Sequence, residues 1–261
     1  MFKVSKMKTK YGESIIEIES KENIKLMFNK KGRLTFIKAK NFSFDNPVHK
    51  RMLLLKKHRI NLILDVGANM GQYAQNIREL GYKGRIVSFE PLSAAFTELK
   101  KNANRDSLWE TVNIALGEAE KNELINIAQN SVSSSLLKML PLHLEYSPQS
   151  KYVGQEEITV RTLDSILNRY MEPGEKVYLK IDTQGYEKKV IEGASKSLKS
   201  ITGIQMEMSL VPLYEGETLL ADMVNFIAKK GYKLMSLEPI ANESDQLLQV
   251  DSIFFRKQNF S

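Results

Sequence analysis

Two turns combine carboxylates, amides and glycines, and they lie far apart in the chain. One is Leu64-Asp65-Val66-Gly67-Ala68-Asn69-Met70-Gly71-Gln72, and the other is Lys180-Ile181-Asp182-Thr183-Gln184-Gly185-Tyr186-Glu187. Each follows a short apolar run that reads as a buried strand. Polar, glycine-bearing turns at the carboxyl ends of two parallel strands describe the crevice in which open α/β sheets bind ligands.

In the first turn, glycines admit positive φ and let a ligand approach without a Cβ in the way. The next apolar run ends Ser88-Phe89-Glu90-Pro91, and a carboxylate there can accept hydrogen bonds from both hydroxyls of a ribose. Dinucleotide sites read G-x-G-x-x-G to present amides to a pyrophosphate, whereas this turn reads G-x-x-x-G with Asp65 just before it. That carboxylate suits a cationic or amino-acid-bearing cofactor. S-adenosylmethionine fits, with a ribose for Glu90 and a sulfonium and α-amino group near Asp65.

Taken together, several motifs resemble the FkbM-type methyltransferases. They are the Asp65–Gln72 turn, Phe89-Glu90-Pro91, Val112-Asn113-Ile114-Ala115-Leu116-Gly117, Arg161-Thr162-Leu163-Asp164 and the stretch Leu179–Glu187. The resemblance spans roughly residues 60–256, with the motifs in family order. It implies a Rossmann-like, seven-stranded S-adenosylmethionine-dependent methyltransferase sheet and O-methylation of hydroxyls on sugars, glycan precursors or secondary metabolites. By position it implies that Asp65, Gly67, Asn69, Gly71 and Gln72 line the methionine part of the cofactor, with Ala68 in the same turn. Glu90, followed by Pro91, would hold the ribose. Ala115 and its neighbours would flank the adenine, and Asp182 would face the methyl group.

Transfer of that methyl needs a nucleophilic oxygen, and an alcohol has a water-like pKa of roughly 16, so a base or a metal must help. Asp182 ends the fourth core strand and Glu207, in Gln205-Met206-Glu207-Met208, ends the fifth. Such a pair can share one divalent cation, Mg2+ for instance, or divide into base and substrate anchor; the spacing leaves that choice open. His143, beside Pro141 in an irregular stretch, is a third candidate base that could swing over the site. Ser133, Ser134 and Ser135 could bond a polyol or simply solvate a loop. Two other readings compete with the transferase: a nucleotide-linked oxidoreductase in the same crevice, and a non-catalytic cofactor-binding protein with an anionic partner.

The elements that must position these groups follow from periodicity. From Leu62 on, apolar runs alternate with helical stripes (Tyr73, Ile77, Leu80; Phe96, Leu99, Ala103; Leu163, Ile166, Leu167, Tyr170), which predicts a parallel sheet with helices on both faces. Gly81 stands where a C′ glycine ends the first helix, and Ser93 where an N-cap begins the next. Thr111 to Leu116 reads as the third strand. Residues 118–157 break the rhythm and read as a long active-site lid, a binding loop or plain disorder. Ahead of residue 51, the runs Ser14–Ile18, Ile24–Phe28 and Leu34–Ile37 predict a small β-rich cap, with a hairpin turn at Asn29–Gly32. The expected organisation is therefore a basic extension over residues 1–50 and a methyltransferase domain over residues 51–261.

Charge is uneven. The chain of 261 residues carries +7; residues 1–60 hold 16 Lys and Arg against 5 Asp and Glu, while the rest hold 22 against 26. The leader reads first as a solvated lysine-rich face and second as contact for an anionic partner, a phosphorylated glycan carrier or a membrane surface. Without clustered arginines among aromatics, nucleic acid is the weakest partner. The absence of cysteine rules out disulfides and thiolate chemistry. No apolar run approaches a membrane span or a secretory signal, so a soluble cytoplasmic protein is expected.

Overall fold

The computed structural model describes residues 47–240 and 246–257, with side chains from residue 50 onward, and the backbone of four strands nearer the N-terminus. The chain divides into two compact units, residues 1–50 and 51–261. The first contains β1 (Lys3–Lys8), β2 (Ser14–Glu19), β3 (Lys25–Phe28) and β4 (Leu34–Lys38), an antiparallel sheet in sequence order. The turn at Asn29–Gly32 lies outside the described residues.

Helix α1 (Pro47–Lys57) leads into the second unit. There follow β5 (Leu62–Val66), α2 (Gln72–Glu79), β6 (Arg85–Phe89), α3 (Ser93–Ala103), β7 (Trp109–Val112), β8 (Ala115–Leu116), β9 (Lys121–Ala128), α4 (Pro141–Tyr146), β10 (Tyr152–Arg161), α5 (Leu163–Tyr170), β11 (Val177–Ile181), α6 (Glu187–Glu192), β12 (Ile201–Ser209), α7 (Leu220–Lys229), β13 (Tyr232–Pro239) and β14 (Gln249–Arg256). Seven of these strands form one sheet in the order β13-β14-β12-β11-β5-β6-β7. Strands β5, β6, β7, β11 and β12 run parallel, and β14 lies antiparallel between β12 and β13.

Every residue of β5 and β11 is buried, as expected of parallel strands covered on both faces. Leu55, Ile77 and Leu99 of α1, α2 and α3 pack on Ile63, Ile86 and Tyr178. On the other face Leu167, Val190 and Ile227 of α5, α6 and α7 pack on Leu64, Leu179 and Ile204. Burying each such side chain is worth about 1.5–3 kcal/mol, so this core fixes where the strand ends and their turns stand. After β7 the chain crosses back to β11, on the other side of β5. The switch point therefore lies between β5 and β11, whose carboxyl ends carry the two turns.

Three local expectations are corrected. The third strand stops at Val112, and Ala115–Leu116 instead pairs with β10 in a separate three-stranded sheet, β8-β10-β9. Residues 118–157 are not a long loop: β9 and β10 form an antiparallel pair over them. Charged residues on the outer face of Lys121–Ala128 hide that strand in the sequence, and only Ile125 and Ala128 of it are buried. Ser93 is the first residue of α3, with Leu92 at the N-cap. Gly81, in contrast, ends α2 at φ +96° as expected; Gly81 N–H donates to Arg78 and Tyr82 N–H to Ile77, the paired bonds of a Schellman end. No helix among the described residues is long and apolar enough to cross a membrane.

Candidate functional site

Gly67 leaves β5 at φ +74°, and a Cβ there would fall 1.9 Å from the Asp182 carbonyl oxygen. Glycine is needed because the two turns pass in contact. The N–H groups of Gly67 and Ala68 both donate to the Phe89 carbonyl at 3.0 Å, tying the first turn to the end of β6. Asn69, at φ +46°, donates its N–H to Glu90 Oε2 at 2.8 Å, and Leu92 N–H donates to Oε1 at 2.9 Å. Glu90 is only 4% exposed. Burial pushes its carboxyl up to about 7, against the pull of those two N–H donors. Two donors leave lone pairs available to hydroxyls of a ligand.

Glu90 opens on a cavity at the carboxyl ends of the strands. Gly67, Asn69, Pro91, Ala115 and Asp182 also line it, and Leu92, Ile114, Ile125 and Leu136 give it an apolar wall. The other turn residues stand behind it. Asp65 is fully buried; its Oδ1 lies 3.1 Å from Lys180 Nζ and its Oδ2 accepts the Ser88 hydroxyl at 3.0 Å. Ala68 is in the core. At Gly71 a Cβ would meet the Trp109 ring at 2.7 Å. Gln72 donates to Asn69 Oδ1 at 3.0 Å, while Asn69 Nδ2 donates to Ser131 Oγ at 3.1 Å.

The second turn stands between this cavity and another. Asp182 and Gln184 line both. Glu207 and His143 line only the second, so the three candidate catalytic residues meet around one space. Gln184, at φ +54°, bridges the carboxylates: its Nε2 donates to Asp182 Oδ1 at 2.8 Å and to Glu207 Oε1 at 3.0 Å. Tyr214 Oη donates to Gln184 Oε1 at 2.7 Å, and Ser135 Oγ to the Gln184 carbonyl at 2.7 Å. Gln249 Nε2 adds a second donor to Glu207 Oε1 at 2.6 Å. Glu187 folds back to accept from Thr183 N–H and Gly185 N–H at 2.9 and 3.2 Å, which rigidifies the turn. His143 lies in α4 rather than in a loop and is buried against Tyr214, with ring centroids 5.0 Å apart. Burial lowers its pKa and favours the neutral imidazole.

The electrostatics of this region are uneven. Lys180 Nζ lies 3.1 Å from Asp65 and 3.6 Å from Asp182. Burial opposes its charge, but these two carboxylates outweigh burial and raise its pKa. Glu207 has the opposite surroundings: burial, then Asp182, Asp251 and Glu187, push its carboxyl well above the usual range. Among the described residues no three His, Asp or Glu side chains converge as a metal ion's ligand set would.

Several participants carried no sequence signal strong enough to assign a role. Lys180 sits inside an apolar strand, where only its register opposite Asp65 reveals a partner. Gln184 stands in the second motif, but its bridging role depends on a left-handed backbone. Gln249 and Asp251 come from β14, and only sheet pairing brings them beside Glu207.

A family model for the methyltransferase FkbM domain matches residues 65–234. The chain is 24% identical over 211 residues to the 2-O-methyltransferase NoeI of Sinorhizobium fredii (strain NBRC 101917 / NGR234), covering 77% of this chain and 84% of that protein. Among solved structures it is similar to a methyltransferase FkbM from Methylobacillus flagellatus KT (16% identity, TM-score 0.49), covering 75% of this chain and 44% of that one, so it spans less than half of that protein's length. It is also similar to the magnesium protoporphyrin IX methyltransferase of Synechocystis PCC 6803 (7% identity, TM-score 0.46, covering 80% and 76%).

Proposed function

The chain belongs to the FkbM methyltransferase family, and on that premise we propose that it transfers a methyl group from S-adenosylmethionine to a hydroxyl of an uncharged polyol. The observation that carries this reading is the pair of cavities meeting at Asp182 and Gln184. A donor held in one and an acceptor held in the other would meet beside Asp182 and Gln184, the residues the two cavities share, and bringing the reacting atoms into contact accounts for much of the rate of a two-substrate transfer.

The residues present fit the cofactor. Glu90 has acceptor capacity for two ribose hydroxyls, the apolar wall from Leu92 to Leu136 suits an adenine, and Asp182 offers negative charge near a sulfonium. When bound, S-adenosylmethionine supplies a methyl group on positively charged sulfur. The chain's task is then to hold the acceptor oxygen in line, exclude water and take up the hydroxyl proton.

The second cavity supports an acceptor without phosphate or carboxylate. Among the described residues its lining holds Asp182 and Glu207 but no Lys or Arg, together with neutral hydrogen-bonding groups of Asn130, Ser133, Gln184 and Gln249. Carboxylates facing an anion cost binding energy, whereas sugar hydroxyls satisfy both donors and acceptors. The name of the Sinorhizobium relative specifies an oxygen as its methyl acceptor, which supports O-methylation here. The test is transfer of labelled methyl to neutral glycosides and to the matching sugar phosphates and uronates. Neutral acceptors are expected to win by about tenfold or more, a penalty of 1.4 kcal/mol for the anion. Transfer to the anionic acceptors alone would contradict the reading.

A further inference from the structure

Strand pairing aligns an acidic row across the sheet. Glu207 of β12 pairs with Asp251 of β14, which pairs with Glu238 of β13, and Asp182 continues the row just past the end of β11. One row lower, Asp65, Lys180 and Gln205 stand side by side. Among the described residues two cations serve these five carboxylates. Lys180 pairs with Asp65 and Asp182, and Arg51 of α1 pairs with Glu238 and lies 3.8 Å from Asp251. Glu207 alone of the five makes no ion pair among the described residues.

The hydrogen bonds sharpen the contrast. Asp182 Oδ1 accepts from Gln184, and its Oδ2 faces the Lys180 ammonium at 3.6 Å, an ion pair longer than a hydrogen bond. Both donors to Glu207, Gln184 and Gln249, converge on Oε1, which leaves Oε2 for a ligand in the acceptor cavity.

From this geometry we infer that Glu207 is the general base and Asp182 is a positioning residue that holds Gln184 and the acceptor. The inference rests on the methyl-transfer reading above. In the transfer the acceptor O–H bond breaks and its proton passes to Glu207 Oε2. The oxygen forms a bond to the methyl carbon, and the C–S bond breaks with its electron pair kept by sulfur as a neutral thioether. Charge balances: the sulfonium and the carboxylate are consumed together, and protonated Glu207 then releases its proton to solvent. The groups facing Glu207 favour this uptake. Burial, Asp182 beyond β11, Asp251 on β14 and Glu187 on α6 all raise its proton affinity; the amides of Gln184 and Gln249 oppose it, and His143 in the cavity wall and Tyr214 behind Gln184 are neutral.

The experiment joins kinetics to a titration that needs no turnover. Glu207→Gln keeps an oxygen for both amide donors, so it should fold and bind S-adenosylmethionine with wild-type affinity. Its single-turnover rate should fall by about 10²–10⁴-fold, and the rise of rate with pH should disappear. Asp182→Asn should retain that rise but move it to lower pH, because a negative neighbour of Glu207 has been removed. In the ligand-free protein, carbon-13 NMR of labelled Glu side chains, assigned through Glu207→Gln, should show Glu207 titrating above the ordinary value of about 4.3. The inference is overturned if Glu207→Gln keeps the wild-type rate and pH profile, or if Glu207 titrates in the ordinary range. Failure of the methyl-transfer reading looks different, with the wild type itself inactive on every acceptor; the titration would then still decide whether Glu207 is the site's proton acceptor.

Discussion

Lys180→Met is expected to destabilise the protein by about 3–5 kcal/mol, the typical effect of removing one partner from a buried ion pair. Lys180 is 5% exposed and Asp65 is fully buried, so neither charge can be rescreened by water once the other is gone. Asp65 would retain one hydroxyl donor, Ser88, and the Gly67 carbonyl would lose the Nζ contact at 3.4 Å that steadies the first turn. A lysine whose folded pKa is raised contributes stability that is fully present below its unfolded value of about 10.4 and is lost as pH rises through the folded value. The contribution of the lysine itself is therefore fully present at both pH 6 and pH 8. Urea unfolding measures it, and a loss under 1 kcal/mol would contradict the account. Lys180→Met with Asp65→Leu should recover most of the stability, since removing both charges leaves no orphan.

Asp182→Asn should leave the fold intact and lower the single-turnover rate of methyl transfer by about 10²–10³-fold, the scale of losing one preorganised electrostatic group from an active site. Asp182 lines both cavities and anchors the Gln184 amide that joins them. Asparagine keeps the shape but removes the charge facing Lys180, and its amide can turn a donor toward Gln184 where an acceptor is needed. The acceptor would then be held less well in line, so kcat should fall more than affinity for S-adenosylmethionine. A protein that methylates at near wild-type rate would show that Asp182 is only part of the turn.

Much of this was legible in the sequence because the core strands are apolar throughout and their turns carry glycines whose backbone demands are local. The runs Leu62–Val66 and Val177–Ile181 gave the adjacent strands, and the acid ending Ser88-Phe89-Glu90 gave the wall of the first cavity. Less legible was everything set by pairing between distant strands. The β9–β10 pair escaped because one face of it is solvated, so its apolar signal falls to half. The donors to Glu207 escaped for a different reason. Gln249 acquires meaning only when β14 is inserted antiparallel beside β12, and no spacing within either strand announces that. Asp65 reads from its position as a ligand for the cofactor, and only the strand pairing reveals that its carboxylate also meets Lys180 and Ser88.

The central claim is that Glu90 holds the ribose of S-adenosylmethionine in the first cavity, and calorimetric titration tests it most directly. S-adenosylmethionine should bind the wild type, and Glu90→Ala should lose about 1.5–3 kcal/mol per hydrogen bond to the charged group, a fall of at least tenfold with the fold unchanged. Wild-type affinity should also rise from pH 6 to pH 8, because burial puts the Glu90 carboxyl at about 7 and its ionised form accepts the hydroxyls better. Equal binding by wild type and Glu90→Ala, or binding of NAD(H) in place of S-adenosylmethionine, would contradict the account.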